Sequence, residues 1–133
     1  MKLGDLDPSI QERLSRRPGF NSSVTIRCRL LLEKSLDQLT AGDVAFCLRQ
    51  TIAIPHVVPI ALDLLDVNPI VEAELYDGDL LVSLLLAAEK HALTDLETTR
   101  LWDACAGAAA ATKTLAETVI PKVDSFFARE QRT

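Results

Sequence analysis

The sequence has few of the residues that build catalytic and metal-binding sites. Aromatic residues make up 5% of the 133-residue chain, and its two histidines, His56 and His91, are far apart. The three cysteines, Cys28, Cys47 and Cys105, are odd in number and lack a CxxC spacing, which argues against a disulfide framework or a zinc site. We therefore expect free thiols in a reducing compartment, no metal ion and no bound cofactor.

The common catalytic motifs are also missing. The sequence contains no GxSxG nucleophile motif, no GxGxxG dinucleotide motif and no GxxxxGK[ST] phosphate loop. Close carboxylate pairs such as Asp77 and Asp79 could in principle carry out acid–base chemistry, but helix capping and solvation explain them without a catalytic cleft. We expect a protein that is not an enzyme.

Long apolar runs are absent as well. The two most hydrophobic segments, residues 57–67 and 80–88, fall far short of the roughly 20 residues that a membrane-spanning helix needs. Residues 1–20 carry charges where a signal peptide would have its apolar segment. These features predict a cytoplasmic protein that does not bind membranes.

Basic residues are scarce in the middle of the chain. The formal net charge is −5, yet residues 35–98 hold eleven acidic and only two basic groups, whereas the segments on either side carry a small basic excess. Such a field repels nucleic acid and attracts a basic protein partner. An acidic surface that serves only solubility is the alternative interpretation.

The residues that are abundant favour helices. Apolar residues make up 48% of the chain, with alanine and leucine common and β-branched and aromatic residues too few for a large sheet. A chain of this length is expected to form one domain, since most domains have about 100 to 200 residues. We predict an all-α fold in which residues 1–133 form a single compact bundle of about six to seven helices.

Several helix starts can be located from capping residues. The candidates are Asp7 before Pro8, Ser22 or Ser23, Thr40 with Asp43, and Thr94 with Glu97. Residues 24–26 are also compatible with the start of a strand. The spacing predicts that Val24 and Cys28 face the core and that Asp43, Arg49 and Gln50 face water.

Prolines set further boundaries. A proline deep inside a helix costs about 3 kcal/mol, so we expect the helix that ends at Val67 to begin near Val57, with Pro59 in its first turn. On that helix Asp63 and Asp66 form a narrow polar stripe with His56 and Pro59. Pro121 is expected to kink or restart the long C-terminal helical stretch.

The central third of the chain resembles a known family. The residues that carry the resemblance are LT at 39–40, LRQ at 48–50, VPIALDLL at 58–65, NP at 68–69 and EAELYDGDLL at 72–81. Their order is similar to that in the soluble immunity proteins of contact-dependent growth inhibition (CDI) systems. The resemblance covers about 50 residues, and the segments on either side of it match no pattern.

The resemblance implies a helical cytoplasmic protein that binds and blocks the C-terminal domain of its cognate toxin, one toxin per chain. Many such toxins are nucleases, whose active sites are basic. The candidate toxin-binding residues are Asp63, Asp66, Glu72, Glu74, Tyr76, Asp77 and Asp79.

Two alternatives stay open. The motif residues can instead form the structural frame, which we favour for Pro59, Gly78 and Asp79, while both interpretations are open for the exposed carboxylates. The protein can also be a regulatory or scaffold module that acts through protein–protein contacts or self-associates through its alanine-rich C-terminal helices.

Overall fold

The computed structural model describes residues 1–16 and 22–131, and within these ranges the chain forms helices and no strand. The α-helices are α1 (Leu3–Leu6), α2 (Pro8–Ser15), α3 (Ser23–Leu32), α4 (Ala41–Gln50), α5 (Ile54–Val67), α6 (Asp79–Lys90), α7 (Asp95–Thr114) and α8 (Ile120–Glu130). A short 3₁₀ turn covers Leu36–Gln38, and a π turn, Leu115–Val119, joins α7 to α8 without a break. The predicted all-α fold is confirmed.

The core lies between α4, α5 and α6. Helix α5 packs against both α4 and α6 on one side and against α7 on the other, and its residues Val57, Ala61 and Leu62 are completely buried. A helix that contacts neighbours on most sides needs an apolar surface almost all round, which the sequence of α5 provides. No helix in the described ranges has both the length and the hydrophobicity to cross a bilayer.

Helix α5 begins earlier than predicted. It starts at Ile54, with Pro55 in the first turn, so Pro59 lies inside the helix. The expectation of a start near Val57 was wrong. The hydrogen bond that Pro59 cannot donate would go to the carbonyl of Pro55, and because both prolines are exposed, water can solvate that carbonyl.

The connection between α4 and α5 explains the earlier start. Thr51 and Ala53 both have left-handed backbone conformations, with φ of 60° and 49°. The backbone N–H of Ala53 donates to Asp7 Oδ2 at 2.8 Å, and the guanidinium of Arg13 donates to the carbonyl of Thr51. Asp7 therefore holds this connection and does not cap α2 with its side chain, contrary to the prediction, although Pro8 is in the first turn.

Two other predicted orientations were wrong. Val24 is exposed, although Cys28 on the same helix is buried. Asp43 is 8% exposed, because the capping box turns its carboxylate back toward the start of α4. There it meets the ammonium of Lys34 at 2.8 Å and the guanidinium of Arg27 at 3.7 Å. Burial alone would raise the pKa of Asp43, but the ammonium of Lys34 and the capping-box hydrogen bonds with Thr40 outweigh it, so the pKa is lowered.

The C-terminal helices form one continuous rod. The backbone N–H of Ile120 donates to the carbonyl of Leu115, five residues back, which is the π-turn pattern, and Pro121 lies in the first turn of α8. The kink or restart predicted at Pro121 corresponds to this π turn, after which α8 begins at Ile120. No described residue after Ala104 is buried, so the rod extends beyond the core.

Candidate functional site

The acidic loop, residues 68–78, connects α5 to α6 and has a defined shape. Glu72 and Asp77 form an isolated antiparallel bridge, and the N–H of Gly78 donates to the carbonyl of Val71 at 3.3 Å. Gly78 has φ of 92°, a conformation that other residues rarely adopt. The loop is thus closed on itself immediately before α6.

Asp79, the first residue of α6, holds the backbone of this loop in place through hydrogen bonds. It is 2% exposed, and its carboxylate accepts hydrogen bonds from the backbone N–H groups of Ala73 (2.6 Å), Glu74 (3.0 Å) and Leu75 (2.8 Å). Burial favours the neutral acid, but these donors outweigh it and lower the pKa of Asp79. The carboxylate is therefore ionised and fully occupied within the protein.

Glu74 ties the loop to two helices. Its carboxylate makes a bidentate contact with Arg27 of α3, at 2.9 and 2.7 Å, and accepts a third bond from Arg49 of α4 at 3.0 Å. The Arg27 contact, reinforced by Arg49, lowers the pKa of Glu74. The loop also lies directly on Gly42, where an added Cβ would come within 3.0 Å of the Glu74 carboxylate.

The tip of the loop faces outward. We define the loop tip as Glu72, Leu75, Tyr76 and Asp77. Leu75 and Tyr76 are 62% and 51% exposed, and Glu72 and Asp77 are exposed on either side of them. Within the part of the chain that the structure describes, neither of these two carboxylates has a side-chain hydrogen bond or an ion pair. The tip therefore presents two available negative charges around an apolar and aromatic centre.

Asp63 and Asp66 lie elsewhere, on the exposed stripe of α5. Both carboxylates contact the guanidinium of Arg100 on α7, at 2.8 and 2.7 Å. Asp63 and Asp66 keep 74% and 58% of their side-chain surface exposed, so these are surface ion pairs of small stabilising effect. Because two carboxylates share one guanidinium, the pair retains one net negative charge.

A sequence model of CDI immunity proteins matches residues 9–100, which is more than half of the chain. The chain belongs to the family of CDI immunity proteins. The match includes the whole acidic loop, α5 and Arg100. Neither the curated proteins nor the solved structures include a match to this chain.

The structure divides the seven candidate residues of this immunity protein into three groups. Glu72, Tyr76 and Asp77 are together at the loop tip, Asp63 and Asp66 share Arg100 on α5, and the remaining two, Glu74 and Asp79, are engaged in internal contacts. In the acidic loop, Glu74 and Asp79 thus stabilise the loop through internal contacts, whereas Glu72 and Asp77 are exposed at its tip.

Sequence reasoning missed Leu75 and the pairing of three arginines, Arg27, Arg49 and Arg100, with carboxylates of the central acidic segment. Leu75 carries a usable signal, since a leucine next to a tyrosine in an acidic turn is outside any helical pattern. The arginines carry none, because Arg27 is 47 positions away from Glu74 and Arg100 is 37 positions away from Asp63.

The described residues assemble no metal-ligand cluster, and two of the three thiols are buried. No group of three or more metal-ligand side chains is assembled in ranges 1–16 and 22–131. Cys28 and Cys47 are buried, and burial raises the pKa of the Cys47 thiol to about 12, which keeps it protonated and unreactive.

Proposed function

We propose that this immunity protein binds the toxin domain of its own CDI system through the loop tip and neutralises it by occupying a basic substrate groove. The observation that carries the proposal is the pair of unpartnered carboxylates, Glu72 and Asp77, on either side of the exposed Leu75 and Tyr76. A groove that holds phosphates is basic, so we propose a nuclease as the target.

The internal contacts of the loop support a binding role. Asp79 fixes three consecutive backbone amides, and Glu74 fixes the loop against α3 and α4. Little conformational entropy is then lost when the tip is bound, and preorganisation of this kind strengthens binding. In this proposal Glu74 and Asp79 act by positioning the tip and do not contact the toxin.

The tip has the composition of a compact protein-binding site. Tyr76 offers a large amphipathic side chain, which is typical of interface hot spots, and Leu75 adds apolar area beside it. Glu72 and Asp77 supply charge that speeds encounter with a basic partner. Asp63 and Asp66, with their residual negative charge, are proposed as a weaker secondary contact.

The proposed activity is binding alone, without catalysis, with one toxin domain per chain and no nucleic acid bound. Unpaired buried cysteines are compatible with a reducing compartment, so we propose that the complex forms in the cytoplasm.

The test uses the toxin domain encoded next to the gene of this protein. We expect the double variant Glu72→Gln and Asp77→Asn to bind this domain at least about tenfold more weakly, with a reduced dependence of affinity on salt. Titration calorimetry at low and high ionic strength measures both effects, and co-expression with the toxin measures protection of growth.

The matched control is Glu89→Gln with Asp103→Asn, which removes two exposed carboxylates outside the loop. It changes the net charge by the same amount, so we expect affinity close to that of the unchanged protein. Equal losses in both double variants would show that overall charge, and not the loop tip, attracts the toxin.

A further inference from the structure

Helix α8 carries an exposed apolar face that the proposed function does not use. We call it the C-terminal face, and its residues are Val119, Ile120, Val123, Phe126 and Phe127. Between 38% and 57% of each residue is exposed, and no residue of α8 is buried. The face lies outside residues 9–100, the part of the chain that matches the immunity-protein family.

The spacing of these residues is that of a helix-pairing surface. At 100° per residue, Val119, Val123 and Phe126 form a line along the helix, with Ile120 and Phe127 beside it. Two adjacent phenylalanines are exposed on α8, and an exposed apolar patch of this kind indicates an interaction site.

Charges of opposite sign flank the face. Measured from Val123, Lys122 and Arg129 lie on one side, at about −100° and −120°, and Asp124 lies on the other side, at about +100°. Glu130 lies on the line of the face, at about −20°, at its C-terminal end. When two copies of one helix pair in parallel, the two-fold axis runs along the helices and brings unlike flanks together. In an antiparallel pair the same flanks would meet, and like charges would oppose one another.

We propose that two copies of the protein associate through parallel pairing of the C-terminal face. In this dimer Val123 lies at the centre of the contact, and Lys122 and Arg129 of one copy face Asp124 of the other. A single helix pair is a small interface, so the dimer is concentration-dependent. The inference does not depend on toxin binding.

Other occupants fit the face less well. A helix that lies on an anionic membrane carries Lys and Arg along its polar side, whereas α8 has an acidic flank at Asp124. A basic toxin would be repelled by Lys122 and Arg129. A second copy matches both flanks at once.

Sedimentation velocity over a wide range of protein concentration tests the dimer. We expect the unchanged chain to shift toward twice its monomer mass as concentration rises, and Phe126→Glu to weaken self-association at least about thirtyfold. Phe126 is exposed, so this variant should keep its helical circular dichroism and its affinity for the toxin domain.

Charge reversal tests the pairing of the flanks. Lys122→Glu with Arg129→Glu places acidic residues on both flanks, and Asp124→Lys places basic residues on both. We expect each variant alone to self-associate at least about tenfold more weakly, and their mixture to form a heterodimer. Weak self-association of each variant without rescue in the mixture would overturn the flank assignment.

A disulfide tests the orientation. In a Cys105→Ser background, Glu130→Cys places one thiol near the end of the face, and parallel pairing brings it to the same residue of the second copy. We expect oxidation to give a covalent dimer, which Phe126→Glu prevents.

A chain that stays monomeric at all concentrations would overturn the inference. If that monomer binds vesicles of phosphatidylglycerol, the face binds membranes instead. If its toxin affinity is lost in Phe126→Glu, the face binds the toxin instead.

Discussion

Asp77 and Asp79 lie two positions apart, and the fold uses them differently. Asp79 is buried and accepts three backbone hydrogen bonds, whereas Asp77 is exposed at the loop tip. An amide in place of the Asp79 carboxylate would direct its own N–H groups at backbone N–H groups. We expect Asp79→Asn to lower the free energy of unfolding by about 2 to 4 kcal/mol, measured by urea denaturation.

Asp77→Asn is the matched control at the same loop. Because the Asp77 carboxylate makes no side-chain hydrogen bond or ion pair within the described residues, we expect a change of less than about 0.5 kcal/mol. Hydrogen exchange at the amides of residues 73–75 should accelerate in Asp79→Asn alone. Comparable destabilisation by both variants would show that Asp79 does not organise the loop.

The ion pairs and backbone hydrogen bonds of single carboxylates also make stability depend on pH. The pKa values of Asp43, Glu74 and Asp79 are lowered from the ordinary values of 3.8 for aspartate and 4.5 for glutamate. As pH falls below the ordinary values, these carboxylates take up protons in the unfolded chain before they do so in the folded protein. Their contribution to the free energy of unfolding is therefore complete above the ordinary pKa values and is lost as pH falls through the lower, folded-state pKa values.

We expect the free energy of unfolding to be flat from neutral pH to about pH 5 and to fall steadily below it. Glu74→Gln should reduce stability at neutral pH and make the acid decline shallower, because one of the titrating groups is gone. Urea denaturation at a series of pH values measures both. An unchanged slope in Glu74→Gln would show that its ion pairs with Arg27 and Arg49 do not stabilise the fold.

At the scale of elements, capping residues within one turn predicted helix starts correctly. The start of α5 was predicted wrongly because a contact between distant parts of the sequence determines it. The capping boxes at Thr40 and Thr94 were predicted and are present, because all of their groups lie within one turn. The start of α5 was missed because Asp7 holds Ala53 from 46 positions away. No periodicity in the sequence reports such a contact.

Contacts between distant parts of the sequence also limit what could be predicted about the candidate site. The sequence correctly indicated an acidic connection with a helix start after it, and the structure places the closed loop there. It could not show which carboxylates are available to a partner, because the arginines that occupy Glu74, Asp63 and Asp66 come from distant helices.

The α4–α5 connection yields a stabilising substitution. Thr51 is an exposed, β-branched residue with φ of 60°, a conformation that glycine adopts without strain. Its contact with Arg13 uses the backbone carbonyl and is kept on substitution. We expect Thr51→Gly to raise the free energy of unfolding by about 0.5 to 1 kcal/mol.

Gln50→Gly, one position earlier and at the last residue of α4, is the control, and we expect it to lower stability by about 0.5 kcal/mol. Thermal unfolding of the two variants should therefore shift in opposite directions. A decrease with Thr51→Gly would mean that the left-handed conformation at this position is not strained.

At the scale of the whole molecule, the acidic middle of the chain is only partly balanced by the basic residues on either side of it, and the chain keeps a net charge of −5. Arg27 and Lys34 from the N-terminal third and Arg100 from the C-terminal third reach its carboxylates. Among the described residues, the acidic groups of this segment without an ion pair include Glu72 and Asp77 at the loop tip and others on α6 and α7. Charge along the sequence thus overstates how much of the acidic segment is available for the binding that we propose.

The molecule also separates into a core and a projecting rod. Leu101 and Ala104 are the last buried residues, and the described residues of the π turn and α8 are all exposed. Removal of residues 115–133 should therefore change the free energy of unfolding by less than about 1 kcal/mol and leave toxin affinity unchanged. Leu101→Ala, in contrast, removes a core side chain and should cost about 2 to 4 kcal/mol. Urea denaturation and toxin titration of the shortened chain test this separation. A loss of stability as large as that of Leu101→Ala would show that the rod folds back on the core in solution.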